Sequence, residues 1–268
     1  MFPLFVPATR PDRIAKACSC GASAVVVDLE DAVLPDDEIT ACASLLDNLP
    51  KNRSVPIYVR INAKETPWYQ HDITVTLSAG TDGIVLPKAK TLKASQTLRS
   101  WMLDKLALSG LIETAKGIGT APQLAPNFDR CFLGSLDFAA DLGCSHSYFA
   151  LAHAPAKIVL GARLAERPGP CDRDTSDIRY PLTTMEAARY SADLRSRGKL
   201  LIYPAQVAPA QAGYRPSFEQ LSWAQRVILA STADGAIIVD GKMIHAPVLA
   251  RAYQIQNFAM DTAGENHD

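Results

Sequence analysis

A chain of 268 residues, 48% hydrophobic and 21% charged, is long enough to bury a large core. Its net charge of −1 offers no basic footprint for nucleic acid. No apolar stretch reaches the length of a membrane-spanning helix, and the run Met1–Val6 is too short and lacks the basic flank of a secretory leader.

Taken in order, apolar runs rich in Val, Ile and Leu alternate with helical stretches. Pro3–Pro7 reads as a short strand. Pro11–Cys20 reads as a helix, with Thr9 as its cap and Gly21 beyond its end. Ala24–Leu29 is continuously apolar as far as its acid, as expected of a strand buried on both faces. Asp36–Leu46 is helical, Val55–Ile61 a strand, Trp68–Ser78 a helix, Gly83–Leu86 a strand and Leu92–Leu106 a helix. Two further apolar runs, Leu108–Ile112 and Cys131–Leu133, end in acids: the first at Glu113, the second through Gly134-Ser135 to Asp137. Ser145–Glu166 reads as a helix bent near Pro155. A weak strand lies near Pro168–Cys171, a helix over Thr183–Arg197 with Gly198 as its stop, and a strand over Lys199–Tyr203. Ser217–Ala233 is helical, Ala236–Val239 a short strand and Ala246–Met260 a final helix, with a frayed tail over 261–268.

This alternation predicts a parallel sheet with right-handed crossovers. About eight βα units in this length point to a single α/β domain over 1–268, a TIM (β/α)₈ barrel with a C-terminal helical extension over 236–268. A doubly wound sheet is the alternative, weakened by the absence of G-x-G-x-x-G after the first strand. The six cysteines are scattered, several in apolar runs, which reads as reduced thiols of a cytoplasmic protein rather than a disulfide framework.

In a barrel, ligands bind at the carboxyl ends of the strands. Those ends carry Arg10; Asp28, Glu30 and Asp31; Arg60 and Asn62; Lys88; Glu113 and Thr114; Ser135 and Asp137. Charge placed this regularly after successive apolar runs reads as one shared site. Glu113 and Asp137 can share a hard cation, because Mg²⁺ usually takes only one or two protein carboxylates. The plain alternative is two ordinary acids in loops. Arg10, Arg60 and Lys88 supply charge for an anionic substrate, and Arg60 offers a planar fork for a carboxylate. A Mg²⁺ here chelates a 2-oxo acid and stabilises charge developing on its ketone oxygen, which is what making or breaking a carbon–carbon bond beside a carbonyl requires. Asp172, Asp174 and Asp177, in PCDRDTSD, lack the glycine and terminal glutamate of a calcium loop and read as a rim loop.

The stretches LFVPATR (Leu4–Arg10), VDLEDAV (Val27–Val33), VRIN (Val59–Asn62), LPKA (Leu86–Ala89), ETAKG (Glu113–Gly117), GSLDFAADLG (Gly134–Gly143), GKLLIYPAQV (Gly198–Val207) and DGKMIHAPV (Asp240–Val248) follow one another through almost the whole chain. Together they resemble the citrate lyase β-subunit-like proteins of the HpcH/HpaI aldolase superfamily, which include citryl-CoA, malyl-CoA and citramalyl-CoA lyases. The resemblance implies a trimeric or hexameric barrel with Mg²⁺ at its mouth. By position, Glu113 and Asp137 match the family's metal ligands and Arg60 its carboxylate-binding arginine. Glu30 and Asp31 match acids near the metal and its waters. In such CoA lyases a thioester enolate attacks a 2-oxo acid.

The metal and oxo-acid half of this pattern is complete, and the departures fall in the thioester half. Tyr203 stands where the family commonly has His. The region Leu34–Ala43 lacks the usual basic positions. His245 stands where the lyases commonly have an Asp that reaches a neighbouring subunit's site as an acid/base. A neutral histidine can take that role, and an interface histidine is the plain alternative. Three functions follow: a Mg²⁺-dependent lyase, a CoA-independent aldolase on the same platform, or a weakly active subunit of a larger lyase complex.

Overall fold

The computed structural model describes residues 1–102, 106–177, 179–231 and 238–264, with side chains as far as residue 259. The chain forms two compact units, Met1–Gln211 and Ala212–Asp268.

In the first unit, eight parallel strands pair in chain order: β1 (Pro3–Pro7), β2 (Ala24–Asp28), β3 (Ile57–Arg60), β4 (Gly83–Leu86), β5 (Ala107–Ile112), β6 (Arg130–Leu133), β7 (Cys171–Asp172) and β8 (Gly198–Lys199). Beyond β8 the chain turns back onto β1: Leu201 bridges Leu4, Phe5 N–H donates to Leu201 O at 2.8 Å, and Leu201 N–H to Pro3 O at 2.9 Å. The sheet is thus a nearly closed TIM barrel, as its βα alternation predicts. Its interior is filled by Val26, Val85, Leu111, Phe132, Cys171 and Leu200, with Phe5 and Tyr58 packed against them, so all eight strands or their immediate extensions contribute. The alternate residues of β2 face the surrounding helices, which is why all five are buried.

The connecting helices are α1 (Pro11–Cys18), α2 (Glu38–Asn48), α3 (Tyr69–Ser78), α4 (Leu92–Trp101), α5 (Ala115–Gly119), α6 (Ala121–Leu124), α7 (Ser135–Leu142), α8 (Tyr148–Leu151), α9 (His153–Leu164), α10 (Pro181–Asp193) and α11 (Val207–Tyr214). Several details differ from the sequence reading. Arg10, not Thr9, precedes α1. The helix expected over Ser145–Glu166 is two helices divided at Ala152, and Pro155 sits in the first turn of α9, where its missing N–H costs nothing. Gly198 does not stop a helix; it opens β8, packed so closely on the Met1 carbonyl that a side chain has no room. Helix α10 instead ends at Asp193, with Arg195 in the left-handed region at φ 69°. Residues 103–105 of the expected Leu92–Leu106 helix lie outside the described residues.

The second unit holds α12 (Phe218–Ala230), the antiparallel pair β9 (Ile238–Val239) and β10 (Lys242–Met243), and α13 (Ala246–Gly264). Ser217 and Gln220 form a capping box at the start of α12. Ala224, Val227, Val239 and Ala252 form its core. Ala236 and Ile237 of the expected strand are outside the described residues, and the helix expected to end at Met260 runs to Gly264. Among the described residues no helix is long and apolar enough to cross a membrane. All six cysteines are free.

Behind β2 and β3, Asn62 joins two buried acids: its Nδ2 donates to Glu38 Oε1 at 3.1 Å and to Asp72 Oδ2 at 2.9 Å. Burial lifts the Glu38 carboxyl to about 7, and Asp72 pushes the same way. As pH rises above the ordinary glutamate range, the unfolded chain ionises first and folded stability falls until about pH 7. Glu38→Gln keeps the hydrogen-bond acceptor and loses the titration. Its stability by denaturant melts should match wild type near pH 4 and exceed it by about 1–2 kcal/mol at pH 8. An equal difference at both pH values refutes the titration account.

Candidate active site

The register of the first strands sets the site. Asp28 at the end of β2 lies beside Arg60 at the end of β3, so two side chains of opposite charge leave adjacent parallel strands on the same face. Arg60 donates from Nε to Asp28 Oδ1 at 2.7 Å and from NH2 to Asp28 Oδ2 at 2.5 Å, a bidentate pair. Its NH1 donates to Asp31 Oδ2 at 2.7 Å and lies 3.2 Å from Glu30 Oε2. Burial works against its charge, but Asp28, Glu30 and Asp31 hold its pKa well above the ordinary value. Lys88 Nζ closes the chain on Glu30 Oε1 at 2.6 Å.

Glu113 is one residue past β5 and 1% exposed. Its Oε1 accepts the Lys88 N–H at 2.8 Å. Lys88 makes that contact from the left-handed region, φ 48°, a conformation disfavoured by about 1 kcal/mol or more for a residue with a side chain. Burial raises the Glu113 carboxyl well above the usual glutamate range, and Glu30 and Asp137 add like charge. Asp137 follows β6 in the first turn of α7.

Glu113, Asp137, Asp28, Asp31 and Arg60 all line a cavity of about 400 Å³ in the first unit, with Phe5, Leu111, Leu200 and Ile202 as apolar wall. Two carboxylates that repel each other across one cavity suit a hard cation, which removes both the repulsion and the burial penalty. Among the described residues no group of three or more His, Cys, Asp and Glu is arranged to hold a metal. Mg²⁺, which completes its shell with water and substrate oxygens, does not require one.

The structure therefore brings together Arg60, Glu113, Asp137 and Asp31 on the wall, with Glu30 and Lys88 tied into the same network. Arg10 is not on the wall: its Nε and NH2 hold Asp12 at 2.9 and 3.0 Å. Arg13, three residues and nearly a full turn further along, lines the cavity instead. Only the helical spacing of α1 points to it. The fork of Arg60, read from sequence as free for substrate, is engaged by Asp28. Ser135 lines the cavity with its Oγ 2.8 Å from His146 Nε2, and Asp174 and Tyr203 line it too. Asp141 accepts the Ala115 N–H at 2.7 Å and so caps α5. His245 belongs to the second unit, its carbonyl accepting from the Val248 and Leu249 N–H groups.

Arg60→Lys keeps the charge but cannot satisfy Asp28 bidentately while reaching Asp31. Folding stability by denaturant melts should drop by about 2–3 kcal/mol, because buried acids lose partners. An unchanged melt rules out this role.

The residues 2–203 match the family model described as HpcH/HpaI aldolase/citrate lyase. A citrate lyase subunit beta-like protein of Mycobacterium tuberculosis is 33% identical over 274 residues, covering 98% of this chain and 96% of the relative. A (3S)-malyl-CoA thioesterase of Cereibacter sphaeroides is 29% identical, covering 90% of this chain and 88% of its own. The crystal structure of CitE from Mycobacterium tuberculosis in complex with magnesium, acetoacetate and coenzyme A superposes with a TM-score of 0.86 at 31% identity, over 96% of this chain and 97% of that one. Magnesium also accompanies ligands in other structures of such relatives and is this family's cofactor. From its family-model match, its near-full-length relatives and its barrel, this chain belongs to the HpcH/HpaI aldolase/citrate lyase family.

Proposed function

We propose that this chain is a magnesium-dependent carbon–carbon lyase that cleaves or forms a 3-hydroxyacyl-CoA or related hydroxy acid through a 2-oxo acid. The observation that carries the reading is the pairing of buried Glu113 with Asp137 on a cavity wall that also presents Arg13 and Arg60. Held by those two carboxylates, Mg²⁺ supplies Lewis acidity to a ketone oxygen.

The chain's own residues set the conditions. Burial favours the neutral acid and raises the Glu113 carboxyl well above the usual glutamate range, so binding of a cation there would be coupled to loss of a proton. The Lys88 N–H fixes one carboxyl oxygen, and the other lies beside Gly134, itself on the cavity wall. Arg13 is an exposed cation on the wall, able to meet a substrate carboxylate that Arg60, saturated by acids, meets only by exchanging a partner. Phe5, Leu111, Leu200 and Ile202 give the cavity an apolar lining, which lowers the local dielectric and strengthens charge interactions within it. The reading includes a cytoplasmic homotrimer or hexamer in which 236–268 packs on a neighbouring subunit.

A CoA-independent aldolase is the second reading, favoured by Tyr203 on the cavity wall where relatives commonly carry His; a weakly active subunit of a lyase complex is the third. Calorimetry with Mg²⁺ plus oxaloacetate, pyruvate or glyoxylate, then acetyl-CoA or propionyl-CoA, separates them. Oxo-acid binding without turnover of any thioester removes the leading reading; no oxo-acid binding removes both enzymatic ones. His245 sharpens the choice. His245→Ala should lose about 100-fold or more in thioester turnover with oxo-acid binding intact, in the range expected of an acid/base residue, and His245→Asp should retain turnover. If neither change alters turnover, His245 has no part in the chemistry.

A further inference from the structure

We propose that Arg173, backed by Thr175, forms an oxyanion site at the β7 edge of the barrel that takes the far carboxylate of a dicarboxylic oxo acid. The dicarboxylate assignment rests on the oxo-acid reading above; the oxyanion site itself does not. Arg173 is 4% exposed. Yet its Nε and NH2 have no hydrogen-bond partner among the described residues, and the Thr175 hydroxyl is likewise buried and unpaired. Buried N–H groups of a charged side chain left unpaired are costly, so a side chain held this way calls for an acceptor.

Arg60 shows what that edge can hold. The same two atoms, Nε and NH2, grip Asp28 bidentately there. In Arg173 they are buried and have no partner among the described residues. The guanidinium is held over the Tyr148 ring, its central carbon 4.3 Å from the centroid, a cation–π contact that satisfies none of its N–H donors. The backbone is fixed as well: Lys199 Nζ donates to Arg173 O at 2.7 Å, and Gln206 Nε2 to Thr175 O at 2.5 Å. Cys171 lies in the barrel interior, so the run leaves β7 at the same strand ends that carry Glu113 and Asp137, and Asp174 between the two donors lies on the cavity wall. Asp172 and Asp174 balance the local charge. Recognition therefore comes from unpaired N–H and O–H groups of fixed direction and not from net positive field, which suits one planar oxyanion.

The test is calorimetry with Mg²⁺ and either oxaloacetate or pyruvate on wild type, Arg173→Gln and Arg173→Lys, with inorganic phosphate as competitor. Wild type should bind oxaloacetate about tenfold or more tighter than pyruvate, the worth of one charged hydrogen-bonded pair. Arg173→Gln should bring the ratio to about one with pyruvate affinity unchanged, and Arg173→Lys should keep part of the preference. Phosphate should compete with oxaloacetate in wild type. An unchanged ratio in a folded Arg173→Gln overturns the proposal, and Arg173→Lys gives the same reading if the glutamine variant does not fold. Phosphate binding that needs Arg173 while the oxaloacetate preference stays makes this a phosphate site and overturns the dicarboxylate. If wild type binds neither oxo acid with Mg²⁺, the lyase reading fails; phosphate binding lost in Arg173→Gln then still upholds the oxyanion site, and its absence overturns that too.

Discussion

Glu113→Gln should abolish magnesium-dependent binding of a 2-oxo acid, with affinity down by at least 100-fold, while the protein stays folded. Glutamine keeps an oxygen for the Lys88 N–H, so the local backbone has no reason to move. What it removes is the charge that a cation needs. The sign with pH follows from the burial of this carboxyl. Because Glu113 holds its proton above the usual glutamate range, cation binding must release that proton, and wild-type affinity should rise with pH. Glu113→Gln should lose this dependence. Folding stability runs the opposite way. On raising pH the unfolded chain ionises before the folded one, so wild type loses stability through that range and the variant does not. Calorimetry in two buffers of different ionisation enthalpy measures the released proton, and thermal melts at pH 5 and 8 measure the stability. Asp137→Asn should lose binding as well. A Glu113→Gln protein that binds Mg²⁺ and oxo acid as wild type does would falsify the assignment.

The barrel was legible because its strands are buried on both faces, and such strands advertise themselves as unbroken apolar runs: AVVV in β2 and GIVL in β4 are placed to within a residue. The acids that end β5 and β6 were legible for the same reason, as interruptions of those runs. Shorter elements were not. β7 and β8 are two residues each and carry no periodicity, and α5 and α6 are hidden by Gly117, Gly119 and Pro122, which count against any helix. Partnerships were the least legible part. Nothing in the spacing of Asp28 and Arg60 says that register sets them side by side, and this turns the expected substrate fork into an internal ion pair. Arg10 and Arg13 look equivalent in sequence; an exposed Asp12 takes the first, and the turn of α1 delivers the second to the cavity. Arg173 offered no signal at all, since an arginine among three aspartates reads as solvated charge until its burial is seen.

Gly134→Ala should disable the site without touching any charged group. Gly134 joins β6 to α7 with φ −93° and ψ 96°, angles open to any residue, so backbone strain is not the issue. Space is. A methyl group at Gly134 would lie 2.7 Å from Glu113 Cβ and closer still to Oε2, far inside contact distance. Glu113 cannot swing aside without giving up the Lys88 N–H. The alternative is a shift of the β6–α7 turn, which carries Asp137 with it. Either way the two carboxylates lose their mutual placement, and a displacement near 1 Å at such a centre costs on the order of 100-fold in activity. Overpacking should also lower folding stability by about 1–3 kcal/mol. Gly143→Ala is the control. Gly143 ends α7 in the left-handed region at φ 71°, with nothing near its missing side chain. That substitution should cost about 1 kcal/mol of stability through the backbone and leave magnesium and oxo-acid binding unchanged. Calorimetry and denaturant melts on both variants separate the two effects. Binding retained in Gly134→Ala shows that Glu113 is not held where the metal needs it.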